Sequence, residues 1–310
     1  MHTLLQITRK FQTMPPTIIW WTQDLHLQHL PALHLTPQAP GNQSVYHGDT
    51  EEMLKKVQKD LVCLNYLQSH IAAFKQTEEG TGQWFLNTKE FQDWKQGCQV
   101  RALLGSGDPG AGKTCILSLV INLLQQLQKS GHPTVARVAY FYLHHQDAKI
   151  QSPANIVATL LKQLLLSYSS LPESALILYE QLELEQGPPQ LEVLVTTLLN
   201  ICQDKQFTTY IVLDALDECM DTYQPELISV LQQLLTVDVR LFATCRSAYQ
   251  DIMAPFKGPH CVKLTIQASQ EDVARFLKKK LESKESFKSI MTSQFQEEVI
   301  SDIQSKTNGV

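Results

Sequence analysis

Residues 104–114 read LGSGDPGAGKT, and Gly107 to Thr114 within them complete the pattern G-x-x-x-x-G-K-[ST]. Small and apolar residues lead in (Val100, Ala102, Leu103, Leu104). Ile116, Leu117, Val120, Leu124 and Leu127 lead out at helical steps. A strand that runs into a glycine-rich loop opening a helix is the setting in which this pattern holds phosphate. Gly107, Gly110 and Gly112 permit backbone angles closed to other residues, and they leave no Cβ between main-chain N–H groups and phosphate oxygens. The helix start adds free N–H groups and the positive end of its dipole. Lys113 supplies a mobile charge for the β- and γ-phosphates, and the Thr114 hydroxyl is placed to ligate Mg²⁺. The expected cradle comprises Gly107, Asp108, Pro109, Gly110, Ala111, Gly112, Lys113, Thr114 and Cys115.

A hundred positions after Thr114, the apolar run Tyr210-Ile211-Val212-Leu213 ends in Asp214 and continues Ala215-Leu216-Asp217-Glu218-Cys219. Such a run is a buried strand of the Walker B type, and an aspartate at its C-terminal tip faces the metal beside the phosphate loop. Asp217 and Glu218 lie just beyond, where a carboxylate can orient or deprotonate a water for attack on the γ-phosphate. An acid at a strand end is weak evidence alone; paired with the complete loop upstream it gains weight.

The remaining chain alternates strands and helices. Val135 to Leu143 reads as a strand buried on both faces, and Pro153 opens a helix carrying Ile156, Val157, Leu160, Leu161 and Leu164. Further helices are expected over Leu191 to Cys202 and Glu226 to Leu235, and further strands over Arg240 to Arg246 and Val262 to Ile266. Two amphipathic helices close the chain, one with Val273, Phe276, Leu277 and Leu281, the other with Phe295, Val299, Ile300 and Ile303. Arg246, at a strand exit, is either a contact for the γ-phosphate or a surface arginine capping the strand. The alternation predicts an α/β fold with a mostly parallel sheet flanked by helices.

Upstream, Met53, Val57, Leu61, Leu64, Leu67 and Ile71 predict one amphipathic helix from Asp49 to about Phe74. Glycines at 80 and 82 then break the chain, and Trp84, Phe85, Phe91 and Trp94 mark a short helix ending near Gly97. Aromatics this dense either stack on an adenine ring or pack in the core, and helical spacing favours the core. Residues 1–48 hold five prolines and no periodicity, so they are expected to be poorly ordered. His26, His29 and His34 lack a cysteine or carboxylate partner at metal-ligand spacing, and Trp20 with Trp21 reads as a local hydrophobic anchor.

A formal charge of −5 and a pI near 6.1 leave no electrostatic footprint for nucleic acid, and Lys278 to Lys280 reads as a solvated helix face. No nucleic-acid partner and no membrane are expected. Seven cysteines, scattered and never paired as C-x-x-C, fit a reducing compartment without disulfides or zinc. No run approaches the roughly 20 apolar residues that cross a bilayer, and the N-terminus lacks the order of a secretory signal. The expected location is the cytoplasm.

Together, Gly107 to Thr114, then Leu213 to Cys219, then Ala243-Thr244-Cys245-Arg246, resemble the NACHT domain of fungal NOD-like receptor proteins, within the STAND class of P-loop NTPases. Glu79 to Leu86, with Glu90, Phe91 and Trp94, resembles the segment preceding that domain in fungal members. The resemblance covers Asp49 to Val310 and divides the chain into an N-terminal segment (1–48), a helical lead-in (49–97) and the nucleotide domain (98–310). It implies a five-stranded core in which the strand after Walker B inserts between that strand and the phosphate-loop strand, with Arg246 sensing the γ-phosphate. It also implies a slow switch on ATP, or GTP, with Mg²⁺: closed with diphosphate, and oligomeric with itself when triphosphate is bound. In fungi such switches serve nonself recognition and programmed cell death. The catalytic set is then Lys113, Asp217, Glu218 and Arg246, and the metal set Thr114 and Asp214. Asp108 occupies a loop position commonly apolar in relatives, so it is expected to point outward, and Ser247 stands where a proline is usual. Relatives continue past the position of Val310, so the domain is expected to be truncated at that end. Two other readings stay open: a scaffold that binds nucleotide without turnover, and a remodelling motor. The motor needs an arginine finger and a pore loop, and neither is identifiable.

Overall fold

The computed structural model describes residues 49–97, 99–129, 135–184, 187–283 and 297–302. The proline-rich N-terminal segment, with His26, His29 and His34 in it, lies outside them, as do Phe295 and Ile303. Five parallel strands form one sheet in the order β2-β3-β4-β1-β5. They are β1 (Ala102–Gly107), β2 (Val135–Tyr142), β3 (Phe207–Asp214), β4 (Val239–Arg246) and β5 (Cys261–Thr265). The strand after Walker B thus lies between the Walker B strand and the phosphate-loop strand, as the resemblance implied.

Alternation along the strands divides the core. Ala102, Leu104, Ile211, Leu213, Leu241 and Ala243 face one layer, while Leu103, Tyr210, Val212 and Phe242 face the other. Successive residues of an extended chain point to opposite faces, so strands covered on both sides must be apolar throughout. The first layer holds α6 (Pro153–Leu165), α7 (Leu176–Leu184), α8 (Leu191–Cys202) and α9 (Gln224–Leu234), joined by α1 (Thr50–Asp60). The second holds α5 (Lys113–Lys129) and the aromatic lead-in. Ser152 caps α6 by accepting from the Asn155 N–H, with Pro153 in its first turn, where a missing N–H costs nothing.

Two readings of the lead-in are corrected. The single helix expected from Asp49 to Phe74 is two, α1 and α2 (Tyr66–Lys75). No glycine or proline marks the break. It is held by α6, where Thr159 Oγ1 accepts from the Leu64 N–H at 3.0 Å and Lys162 Nζ donates to the Leu61 carbonyl. Asn65 then caps α2 by accepting from the Gln68 N–H. The aromatic helix is likewise two pieces, α3 (Gln83–Leu86) and α4 (Lys89–Gln96), separated because Thr88 caps the second. Gly97 ends α4 at φ 73°, where glycine adopts the left-handed conformation without a Cβ penalty. Phe85, Phe91 and Trp94 are fully buried, Phe85 stacks on Phe242, and the Trp94 indole N–H donates to the Leu241 carbonyl. These aromatics are core, as their spacing favoured.

Helix α7 had no counterpart in the sequence reading. Leu176, Ile177 and Leu178 are consecutive, so no one-sided period flags the helix, and Leu178 is buried while Ile177 stays exposed. Helix α10 (Gln270–Ser283) follows β5, and residues 297–302, with Val299 and Ile300 of the expected final helix, are helical as well. The former is tied to the glycine turn of the lead-in: Asp272 Oδ2 accepts from the Gly82 N–H and the Trp84 indole, Arg275 donates to the Gly80 carbonyl, and Lys279 pairs with Glu78. Among the described residues no helix is long and apolar enough to cross a membrane.

Candidate functional site

The phosphate loop and the Walker B tip meet. Thr114 Oγ1 donates to Asp214 Oδ2 at 2.6 Å, and Thr244 Oγ1 donates to the other oxygen, Oδ1. Asp214 is 4 % exposed, and burial raises its pKa against the lowering effect of the two hydroxyls and of Lys113. A buried carboxylate beside a threonine hydroxyl is a pair of hard oxygen donors suited to a divalent cation, whose charge would offset the desolvation. These residues therefore fit Mg²⁺. Among the described residues no group of three histidine, cysteine, aspartate or glutamate side chains forms a metal cluster of another kind.

The loop has the open form a phosphate requires. Gly110 and Gly112 lie at φ 84° and 88°, and a Cβ built on either meets nothing within 4 Å. Their special role is therefore conformational, with space left above the backbone. Gly107 differs, since a Cβ there would collide with the Ile266 carbonyl, so it is needed for close approach of chains. Lys113 Nζ donates to the carbonyls of Gly107 and Asp108 at 2.8 and 2.9 Å, and burial lowers its pKa. Asp108 and Pro109 are exposed, which fits the outward direction expected for the carboxylate, and Ala111 is buried. Burial raises the pKa of the Cys115 thiol, against a lowering effect of Thr77 just past α2.

Beyond Asp214 the two further acids separate. Asp217, whose side chain is 1 % exposed, turns toward β4: its Oδ1 accepts from the Arg246 N–H at 3.0 Å, and its Oδ2 lies 3.1 Å from Arg246 Nε. Glu218, 18 % exposed, accepts from Arg246 Nη2 at 2.6 Å through Oε1 and from the His145 N–H at 3.1 Å through Oε2. Arg246 is opposite Gly107 in the β1–β4 register, which puts its base at the mouth of the loop. The structure thus gathers Lys113, Thr114, Asp214, Asp217, Glu218 and Arg246 at one sheet edge.

Three participants were not singled out from the sequence. Thr244 braces Asp214 and also accepts from the Ala215 N–H at 3.0 Å. That second bond supports Ala215 at φ 57°, a left-handed conformation that costs a non-glycine residue about 1 kcal/mol. A hydroxyl inside the otherwise apolar Leu241 to Cys245 run was the available signal. Tyr142, paired with Asp214 in the β2–β3 register, is bonded through its hydroxyl to the buried His70 ring at 2.9 Å. His145 offered no signal, because its role depends on a loop reaching across from β2.

The Nephrocystin 3, N-terminal family model matches residues 80–246, more than half of the chain and the whole span from the glycine turn to Arg246. The chain belongs to this family. The chain is also 30 % identical over 151 residues to the vegetative incompatibility protein HET-E-1 of Podospora anserina, a match covering 48 % of this chain and 11 % of that protein. These two findings identify a NACHT-type domain. The match spans about a tenth of the curated relative. Among solved structures, Drosophila ORC bound to DNA is similar at 15 % identity and a TM-score of 0.43, covering 81 % of this chain and 56 % of that one. ORC1 of Aeropyrum pernix in complex with DNA gives 16 % and 0.39, covering 75 % and 49 %. Domain III of DnaA from Thermotoga maritima gives 14 % and 0.37, covering 71 % and 76 %. The P-loop fold of the family member stands on its own strand order and phosphate loop.

Proposed function

We propose that this protein binds a nucleoside triphosphate, ATP with GTP as the alternative base, together with Mg²⁺, and hydrolyses it slowly as a STAND-type signalling switch. The observation that carries this reading is the contact of Thr114 with Asp214 at 2.6 Å, which joins the phosphate loop to the Walker B tip. Thr114 and Asp214 would hold Mg²⁺, which when bound offsets phosphate charge in the ground state and as it shifts during transfer. Lys113 exchanges the carbonyls of Gly107 and Asp108 for phosphate oxygens, a stronger pairing because both partners are charged. The open space above Gly110 and Gly112 admits those oxygens to main-chain N–H groups. Glu218 accepts the proton of the attacking water, and Arg246 meets the γ-phosphate.

The signalling part of the proposal leans on the relative named for vegetative incompatibility. By that likeness the output is nonself recognition or programmed cell death in a fungus, through a homo-oligomer formed in the triphosphate state in the cytoplasm. A second reading, a binding scaffold without turnover, is favoured by one observation: both oxygens of Glu218 are already engaged, by Arg246 and by His145.

Calorimetry with ATP and Mg²⁺ alongside a phosphate-release assay separates the two. On the switch reading, Lys113→Ala loses nucleotide affinity by more than about tenfold. Glu218→Gln still binds ATP and loses turnover by roughly a hundredfold or more. Binding without phosphate release in the unmodified chain selects the scaffold, and absence of nucleotide binding defeats both.

A further inference from the structure

The arrangement around Arg246 contains a conflict that the proposed reaction must resolve. Glu218 is needed to take a proton from water, yet its Oε1 is 2.6 Å from Arg246 Nη2 and its Oε2 accepts from the His145 N–H. Arg246 is needed by the γ-phosphate, yet its guanidinium lies between two carboxylates. Neither residue can do its work while each holds the other.

The two carboxylates hold the arginine differently. Asp217 is almost fully buried: its Oδ1 accepts from the Arg246 N–H, and its Oδ2 pairs by charge with Nε without a hydrogen bond. Its grip on the backbone does not depend on where the guanidinium points. Glu218 is more exposed and meets only the outer edge, Nη2. Arg246 itself is 40 % exposed, so water and anions can reach that edge. A guanidinium presents several N–H donors in a fixed plane, and a phosphate offering several charged oxygens can replace a carboxylate on one edge while the other stays bound. Gly107 stands opposite Arg246 in the strand register, so the anion that arrives there is one held in the loop.

Resting on the nucleotide-binding reading above, we infer that the Arg246–Glu218 pair is a latch exchanged for the γ-phosphate, with Asp217 as the residue that positions Arg246 for the exchange. A triphosphate takes Nη2 and sets Glu218 free. A diphosphate ends short of it and leaves Glu218 tied. Triphosphate selectivity and the release of the water-orienting carboxylate are then a single event, and Asp217 takes no proton at any stage.

The test is calorimetric, on the full chain with Mg²⁺, using a non-hydrolysable ATP analogue and ADP as the two probes and the ratio of their affinities as the readout. Removing the competing charge by Glu218→Gln should tighten the analogue about three- to fivefold and change ADP less than about twofold, the range expected for a half-exposed ion pair. Arg246→Ala should bring the ratio close to one, and adding Glu218→Gln to that background should move it no further. Asp217→Asn should lower the ratio while Gly107-loop binding of ADP persists; thermal melting of each variant confirms that it is folded. A ratio unmoved by Glu218→Gln in folded, ADP-binding protein overturns the latch alone. So does an equal gain from Glu218→Gln with and without Arg246. Failure of the unmodified chain to bind either probe overturns the nucleotide reading and the latch with it.

Discussion

Two arginines on this sheet are held in opposite ways. Arg137, near the start of β2, is fully buried; it donates to the Tyr168 hydroxyl, the Ile201 carbonyl and Thr209 Oγ1, and its guanidinium lies 4.0 Å from the centre of the Phe207 ring. Its nearest acid in that chain of contacts, Asp204, is reached through Tyr168, whose hydroxyl burial pushes up to about 12. Arg246, the last residue of β4, is partly exposed and held at its head by two carboxylates. An arginine packed against neutral acceptors and an aromatic face cannot leave without exposing orphaned groups. One that is itself 40 % exposed, with a partly exposed carboxylate on its outer edge, can trade that one partner at little cost. The N-terminal end of the strands therefore uses an arginine as structure, and the C-terminal end leaves one partly exposed beside the phosphate loop.

That contrast can be broken by stability measurements. Arg137→Leu should cost roughly 2–4 kcal/mol in urea denaturation, since it leaves Thr209 Oγ1 without its donor in the core and removes a donor to the Ile201 carbonyl and the contact with the Phe207 ring. A loss below about 1 kcal/mol would mean that an apolar side chain serves equally well there.

His70 gives an intermediate case. It is buried against Tyr142, and desolvation lowers its pKa. Below its ordinary value of about 6.5 the unfolded chain takes up a proton that the folded chain resists. Stability should therefore fall as pH drops through that value, by on the order of 1 kcal/mol per pH unit, until the folded-state ring also titrates. His70→Phe should flatten this part of the pH profile; an unchanged slope would assign it to other groups. A smaller loss than at Arg137 is expected at the other arginine: Arg246→Ala should cost on the order of 1 kcal/mol, because its outer pair with Glu218 is partly exposed although Asp217 is left buried, while changing nucleotide selectivity; a loss as large as at Arg137 would make it a structural residue too.

The site was legible in the sequence to the extent that its residues are contiguous. Gly107 to Thr114 and Asp214 to Glu218 each carry their own pattern, and both end at the same sheet edge because parallel strands share a direction. Asp217 and Glu218, adjacent and chemically alike, both read as candidates just beyond the Walker B tip. The structure distinguishes them, because a short turn after Ala215 sends one carboxylate to the β4 backbone and the other toward the β2 loop. The break between α1 and α2 was illegible for a related reason, since the hydroxyl and amine that hold it belong to α6.

The sequence by itself determined what short-range rules govern: the phosphate loop, the apolar strands, the caps, and hence an α/β sheet with a polyphosphate cradle at one edge. Only the tertiary structure decided which polar groups meet: Thr244 and Thr114 on Asp214, Asp217 and Glu218 on Arg246, and α6 on the lead-in. Backbone geometry and side-chain periodicity repeat within a few residues and so are written locally. A hydrogen bond between strands or loops far apart in the chain depends on how the whole sheet is ordered, and no local pattern encodes that order.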